Sequence, residues 1–358
     1  MDTRLMRKLK IGYWPLAKKL DAAGDRRRLV FWAQARGHTL VTDLSQKVDV
    51  IVASENADFN ASVFRTGESP LVFDLVDAYL SPQNPIDDLA RGIAKSLSGQ
   101  ITGAVRPFSH HVRDFCKNAS LVVCSSIEQE VVINQFNTHT RVILDSHDEI
   151  PFMDEVQKDV GNSNTRRILW EGQPATIGGV AQILPILTNL SRTNNLHFDF
   201  VTDEIYYKLL YKYFERDTLR LLQKNLHGIH DRVSVIPWGT NNLVACAKKS
   251  AAAMIPINLS VPMQRLKPEN RLLIMWRLGL PCLTSASPAY SRVATKAGVS
   301  AVCQTSEEWS IKFSRILEDP KFARDEILKG QNYLHENHNR NVLLQKWDSV
   351  FELVLDKI

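Results

Sequence analysis

The feature that most constrains this chain is an alternation that runs twice. A short apolar run reads as a buried strand, and a longer amphipathic segment after it reads as a helix. In the first half, strands are expected at 10–13, 48–53 (VDVIVA), 71–75 (LVFDL), 121–125 and 141–144. Helices are expected from Asp25, as cap, to a stop at Gly37, then at 108–118 and 127–136. Residues 149–165 (EIPFMDEVQKDVGNSNT) are polar, carry Pro, Gly, Asn and Ser, and have no apolar period. The alternation then restarts, with strands at 166–170, 197–201, 233–238, 251–257, 281–285 and 300–304. Helices are expected between them at 179–190, 205–226, 242–249 and 270–278, and over most of the last stretch. Short buried strands separated by helices call for parallel sheets. The expected fold is α/β, two doubly wound Rossmann-like domains facing a cleft. The first domain spans 1–149, with a tail from about Trp347 crossing back onto it; 150–165 is the linker and 166–346 the second domain.

At 358 residues, two domains of roughly 100–200 residues fit. Hydrophobic residues are 44% and charged ones 23%, enough to build a core in each. The net charge of +5 suits an anionic ligand and is too weak to call for nucleic acid. Five cysteines (Cys116, Cys124, Cys246, Cys282, Cys303) form no CxxC pair, which points to reduced thiols. The start shows no signal-peptide stretch, and no segment approaches the roughly 20 apolar residues of a membrane helix. The expected location is therefore cytoplasmic. Any membrane contact would be peripheral, at the inner face and with anionic lipid, through Arg4, Arg7, Lys8, Lys10, Lys18 and Lys19. An alternative is the aromatic and basic stretch Tyr206, Tyr207, Lys208, Tyr211, Lys212 and Tyr213, which also reads as a helix packed by Leu209, Leu210 and Phe214.

The sharpest local motif is 266–285, LKPENRLLIMWRLGLPCLTS. A polar loop leads into a helix near Asn270, Gly279 ends it, and Pro281 opens the next strand. A helix N-terminus presents free N–H groups and about half a positive charge, a ready site for a diphosphate. Arg271 and Lys267 would add charge there. The segment resembles the donor-binding segment of the GT-B glycosyltransferases related to sucrose and glycogen synthases. Asn270, Arg271 and Leu272 match their Asn-Lys-Leu-type triplet, and Gly279, Leu280 and Pro281 match their Gly-x-Pro. DLVDAY (74–79) resembles the segment beside the transferred sugar, with Asp77 on the family's Asp and Val76 in place of its His. NASLVVCSSIEQE (118–130) resembles a further strand and helix of the family, with Ser120 in place of Asp. The C-terminal segment from Asn332 resembles the closing helix.

The chain departs from that pattern at several points. In LWEGQPATIGG (169–179), Gln173 follows Gly172 where the family has Arg, and Ile177 or Gly178 stands where it has Lys. Ile274 occupies the position of the Glu that holds the ribose. GYWPLAK replaces the Gly-Gly loop after the first strand.

The resemblance implies a retaining, metal-independent glycosyltransferase that moves a sugar from a nucleotide-diphosphate sugar, as substrate rather than cofactor, to a glycan, lipid-linked or protein acceptor. It implies a donor site at Lys267, Asn270, Arg271, Trp238, Gly172 and Gln173. Trp238 either stacks on the base or packs a core. Acceptor-side candidates are Asp74, His110 and His111. The candidates closest to the chemistry are Asp77 and His147, the latter at the end of the first half's last strand. Two alternatives remain. One is a GT-B-fold binding or scaffolding protein without strong activity, motivated by Gln173 and Ile274; the other is a GT-B-type nucleotide-sugar epimerase. The absence of Walker, GxGxxG, HExxH and GxSxG signatures lowers the odds of P-loop, dehydrogenase, zincin and serine hydrolase chemistry. His335 and His338 are three apart on a helix but lack a third ligand for zinc.

Overall fold

The computed structural model describes residues 7–64, 66–81, 84–154, 165–207 and 215–356. The chain divides into two compact units. Unit 1 comprises Met1–His147, Leu266–Pro268 and Asn339–Ile358; unit 2 comprises Asp148–Arg265 and Glu269–His338.

Unit 1 runs β1 (Lys10–Trp14), α1 (Ala23–Arg26), α2 (Leu29–Arg36), β2 (Thr39–Val41), β3 (Val50–Ser54), β4 (Leu71–Leu75), α3 (Pro85–Leu97), α4 (Phe108–Asn118), β5 (Leu121–Cys124), α5 (Ile127–Ile133) and β6 (Thr140–Val142). The strands form one sheet in the order β2-β1-β3-β4-β5-β6, all parallel. Every residue of β3, β4 and β5 is buried, so both faces of the sheet centre are covered. That is why these strands read as nearly continuous apolar runs, interrupted only by Ser54 and Asp74. Val52 lies opposite Tyr13 on one side and Val72 on the other.

Unit 2 runs β7 (Arg166–Glu171), α6 (Gly178–Gln182), α7 (Leu184–Asn194), β8 (Leu196–Thr202), β9 (Ile205–Tyr207), β10 (Glu215–Asp217), α8 (Thr218–Asn225), β11 (Val233–Pro237), α9 (Thr240–Lys249), β12 (Ser250–Ile255), α10 (Pro262–Arg265), α11 (Asn270–Arg277), β13 (Cys282–Ser285), α12 (Pro288–Ala297), β14 (Val302–Cys303), α13 (Ser306–Glu318) and α14 (Pro320–Asn337). Its main sheet has the order β11-β8-β7-β12-β13-β14, again parallel. Numbered within the unit this is 3-2-1-4-5-6, the Rossmann order. The small β9–β10 pair is antiparallel.

The last helix, α15 (Arg340–Leu355), belongs to unit 1, starting earlier than the sequence suggested. Trp347, Val350, Phe351 and Val354 enter the core that holds β1 and α2. Phe351 stacks on Trp32 with ring centroids 4.1 Å apart and planes 6° apart. Trp32 Nε1 donates to Asp348 at 2.7 Å, and Arg36 binds the same carboxylate through Nε and Nη2.

Several local expectations are corrected. Asp25 does not cap a helix from outside; it lies within α1, fully buried. Its carboxylate accepts from Tyr13 Oη at 2.5 Å and from the amides of Leu16 and Ala17, and so folds the loop after β1. The helix expected over 205–226 begins only at Thr218, where the Asp217 side chain accepts from Arg220 N. Ile205–Tyr207 is a strand instead. Of the aromatic and basic stretch, Lys208, Tyr211, Lys212 and Tyr213 lie outside the described residues, as does Arg4. The helix expected over 179–190 breaks into α6 and α7 at Ile183, where Pro185 opens the second piece. The first residues of the expected linker belong to unit 2. Ile150 and Met153 are buried, Met153 N donates to Arg277 O, and Gln331 Nε2 donates to Met153 O at 2.9 Å.

Candidate functional site

In an open parallel sheet, ligands bind outside the carboxyl ends of the strands where the strand order reverses. In unit 2 that point lies between β7 and β12. β7 ends at Glu171, buried, followed by Gly172. Arg271, on the first turn of α11, reaches this spot. Its Nη2 donates to Glu171 O, its Nε lies 3.5 Å from Glu171 Oε2, and its guanidinium sits over the Trp170 ring at 5.1 Å. A Cβ at residue 172 would stand 3.0 Å from the guanidinium carbon, so glycine there leaves room for Arg271. Trp238 follows β11, and its Nε1 donates to Glu171 Oε1 at 3.0 Å. Glu171 thus ties Arg271 and Trp238 together.

The neighbourhood holds buried polar atoms without hydrogen bonds: Asn270 Oδ1, Thr202 Oγ1 at the end of β8 and Thr284 Oγ1 on β13. Such atoms cost free energy unless something completes them, so their gathering at the carboxyl ends of one sheet marks a binding edge. Glu269, at the N-cap of α11, makes no side-chain hydrogen bond to the helix and pairs with Arg292 at 3.4 Å. The first-turn amides of α11 therefore have no side-chain cap.

The far end of α11 explains the glycine of the motif. Gly279 has φ +63, and a Cβ there would meet Met153 O at 2.6 Å. Only glycine tolerates both the left-handed turn and the close carbonyl. Gly330 of α14 lies against Trp276, where a Cβ would come within 2.5 Å of the indole, and this holds α11 on its support.

Unit 1 reverses its strand order between β1 and β3. Just past β3 lies Glu55, buried, accepting from the amides of Val76 (3.1 Å) and Asp77 (2.9 Å). Burial, and after it the Asp77 carboxylate, push the Glu55 carboxyl up to about 8. Burial pulls Lys95 down to about 8, with Glu55 opposing that fall. Lys267 Nζ lies 3.5 Å from Asp77 Oδ1, and Ser126 Oγ donates to Leu266 O. The structure therefore groups Lys267 with Asp77 in unit 1, not with Asn270 and Arg271. The loop that carries it rests on α5's N-cap, a contact 140 residues away in sequence.

The other expected site residues fall as follows. Gln173 is exposed and opens a short 3-10 turn, Pro174–Thr176, while Ile177 and Ile274 are buried in the core. Asp74 is no acceptor contact: it is buried and bound to Arg28 through Nη2 at 2.6 Å and Nε at 3.0 Å. His147 is 1% exposed, which withdraws it from direct contact with a substrate. The histidine pair splits. His110 is exposed, while His111 is buried, its Nδ1 accepting from Arg106 Nε at 3.3 Å. His111 lines a cavity of about 500 Å³ with Phe59, Phe64, Arg106 and Asp114, beside α4 and away from both reversal points. Glu55 and Glu171 were missed because a lone acidic residue after a strand carries no spacing signal; only the strand order makes the position special.

A prediction follows from Glu55. The folded protein holds the Glu55 proton up to about pH 8, whereas the unfolded chain releases it near the ordinary value of 4.5. Between these the folded state binds more protons, so stability falls as pH rises through the window. Glu55→Gln keeps an oxygen for the two amides and removes the titration. The expected result is that the variant gains on the wild type by on the order of 3 kcal/mol from about pH 5 to pH 8 in denaturant unfolding. Parallel pH curves for the two proteins would show that the carboxyl ionises normally.

Two parallel sheets of this topology in one chain can be set beside solved structures. The chain is similar to HepE from Anabaena, solved in complex with UDP, with a TM-score of 0.64 and 12% identity over 97% of this chain and 100% of that one. It is similar to the sucrose-phosphate synthase of Thermosynechococcus elongatus, with a TM-score of 0.61 and 12% identity over 97% and 81%. It is also similar to TarM, with a TM-score of 0.57 and 10% identity over 84% of this chain; the chain spans about half of TarM's length, 54%. The chain has the GT-B fold. No protein-family model and no curated protein matches its sequence. At such identities the GT-B likeness speaks for architecture, and the chemistry rests on the residues.

Proposed function

We propose that this GT-B chain is a glycosyltransferase that moves a sugar from a nucleotide-diphosphate sugar to a glycan, lipid-linked or protein acceptor. The observation that supports this most is the cluster at the β7/β12 reversal: Arg271 held over Trp170 beside Gly172, with Asn270, Thr202 and Thr284 presenting buried polar atoms that lack hydrogen bonds. The nucleotide diphosphate lies along the start of α11, with Arg271 and the first-turn amides facing the phosphates and Trp238 near the base. The reaction retains configuration and uses no metal. Catalysis comes from stabilising the leaving diphosphate and holding the substrates in place, with no protein nucleophile. HepE's complex with UDP makes UDP the first nucleotide to try.

One observation favours the alternative of a weakly active or purely binding protein. The two arginines at this edge are each matched by an acid, Arg271 by Glu171 and Arg292 by Glu269. Cation strength toward a leaving diphosphate is thereby reduced.

The test is thermal unfolding against UDP, GDP, ADP, CDP and TDP and their common sugars. A ligand at about 100 times its dissociation constant adds about 2.7 kcal/mol, a shift of several degrees. Arg271→Ala should weaken binding at least tenfold, about 1.4 kcal/mol, with Arg271→Lys retaining part of it. No shift with any nucleotide would remove the transferase reading and leave the binding one.

A further inference from the structure

Helix α3 is built inside out. It is 13 residues long, capped by Asn84 Oδ1 accepting from Ile86 N, with Pro85 in its first turn. The side it turns inward is polar. Asp88 is buried and accepts from Ser109 N and Ser109 Oγ; Gly92 is buried against the Arg106 backbone, where a Cβ would come within 2.0 Å of Arg106 O. Lys95 lies over the Phe108 ring at 4.8 Å and Arg91 over Tyr79 at 5.3 Å. The side it turns outward is hydrocarbon: Ile86 is 75% exposed, Leu89 41%, Ile93 40% and Leu97 75%. These residues recur at spacings of three, four and four, which is one face of a helix. The stripe runs about 16 Å along the axis. Surface helices of soluble folds do the reverse, burying the apolar face. Val105, 56% exposed, sits in the strand of chain that crosses α3 at Gly92.

We propose that the outward face of α3 seats unit 1 on a lipid bilayer surface, with Ile86, Leu89, Ile93 and Leu97 entering the boundary between headgroups and acyl chains. Three observations select lipid over a protein partner. The face is aliphatic only, lacking the Trp, Tyr, Met or Arg that anchor protein interfaces. A stripe four side chains long is well short of the roughly 800 Å² per partner that a stable protein interface buries, whereas a bilayer needs no shape match. Charge agrees. The chain's formal net charge of +5 has the sign that an anionic bilayer surface attracts. An interfacial helix with a large apolar face and basic neighbours lies flat at the headgroup level. Among the described residues no helix is long and apolar enough to cross a membrane, so the contact is lateral. It does not depend on the transferase reading, whose donor site is proposed in unit 2.

The experiment is co-sedimentation of the full chain with vesicles of phosphatidylcholine and phosphatidylglycerol, beside light scattering of the free protein. The variant is Ile86→Ser with Leu97→Ser, two positions exposed enough that folding is not at stake. The expected result is vesicle binding that falls at least tenfold in the variant, with a monomer in both cases and the nucleotide response unchanged. Wild-type protein that ignores vesicles, or a variant that binds them equally well, overturns the proposal. So does a wild-type dimer that the variant converts to monomer, since the face would then belong to a second copy.

Discussion

Asp74→Ala is expected to destabilise unit 1 by about 3–5 kcal/mol. Arg28 is completely buried, and its charge is balanced by Asp74, with the Ile143 carbonyl accepting at 2.6 Å and Asp145 at 3.3 Å on the other edge. Burial by itself would lower the Arg28 pKa; the Asp74 charge and hydrogen bonds overcome it and raise it. Removing Asp74 leaves a buried cation facing one partly compensating carboxylate, and Asp145 is itself held above its ordinary range by burial. The cost arises from the orphaned charge rather than from the worth of the bond, so removing both ends should be far milder. Arg28→Met with Asp74→Leu is expected to recover most of the loss. Denaturant unfolding of the three proteins checks this, and a single variant within about 1 kcal/mol of wild type would contradict the buried pair. The nucleotide response proposed for unit 2 should survive in the folded fraction.

Trp347→Ala is expected to cost about 3–5 kcal/mol, the usual range for emptying a large aromatic site in a core. Trp347 is buried on α15, 6.4 Å from both Trp32 and Phe351 by ring centroids, and Arg28 lies over its ring at 5.9 Å. The same substitution at Leu353, 37% exposed on the same helix, should stay within about 0.5 kcal/mol. Because Trp347 and Asp74 both touch Arg28, their losses should not add. The double variant is expected to lose less than the sum of the two, and strict additivity would show that the arginine does not couple them. If Trp347→Ala proves harmless, α15 does not close the unit 1 core.

These outcomes bear on the sequence reading. Asp74 and Asp77 stand three apart in DLVDAY, the first expected on the acceptor side and the second close to the chemistry. The structure separates them: Asp74 is consumed by Arg28, 46 residues away, whereas Asp77 keeps about a third of its side chain exposed next to Lys267. Lys267 and Arg271 stand four apart and read as one phosphate site, yet the loop delivers the first to unit 1 and the helix keeps the second in unit 2. Helix α3 escaped notice since its apolar spacing sits among exposed residues and a turn-rich approach. The edge strand β2 is three residues long, below the length at which a period can be read.

What the sequence determined by itself was the set of buried strands, the parallel α/β class, the α4 boundaries at Phe108 and Asn118, and the stop of α11 at Gly279. Each is a local property. A strand covered on both faces is apolar along nearly all of its length, and a left-handed turn under a carbonyl admits only glycine. What only the tertiary structure decided was the order of the strands, hence where each sheet reverses, and which carboxylate meets which cation. Glu55 and Glu171 became site candidates because their strands flank the reversals, and Asp74 ceased to be one because Arg28 lies across the sheet from it. Strand order and ion pairing depend on contacts tens to hundreds of residues apart, and a charged side chain carries no mark in its own neighbourhood of the partner it will find.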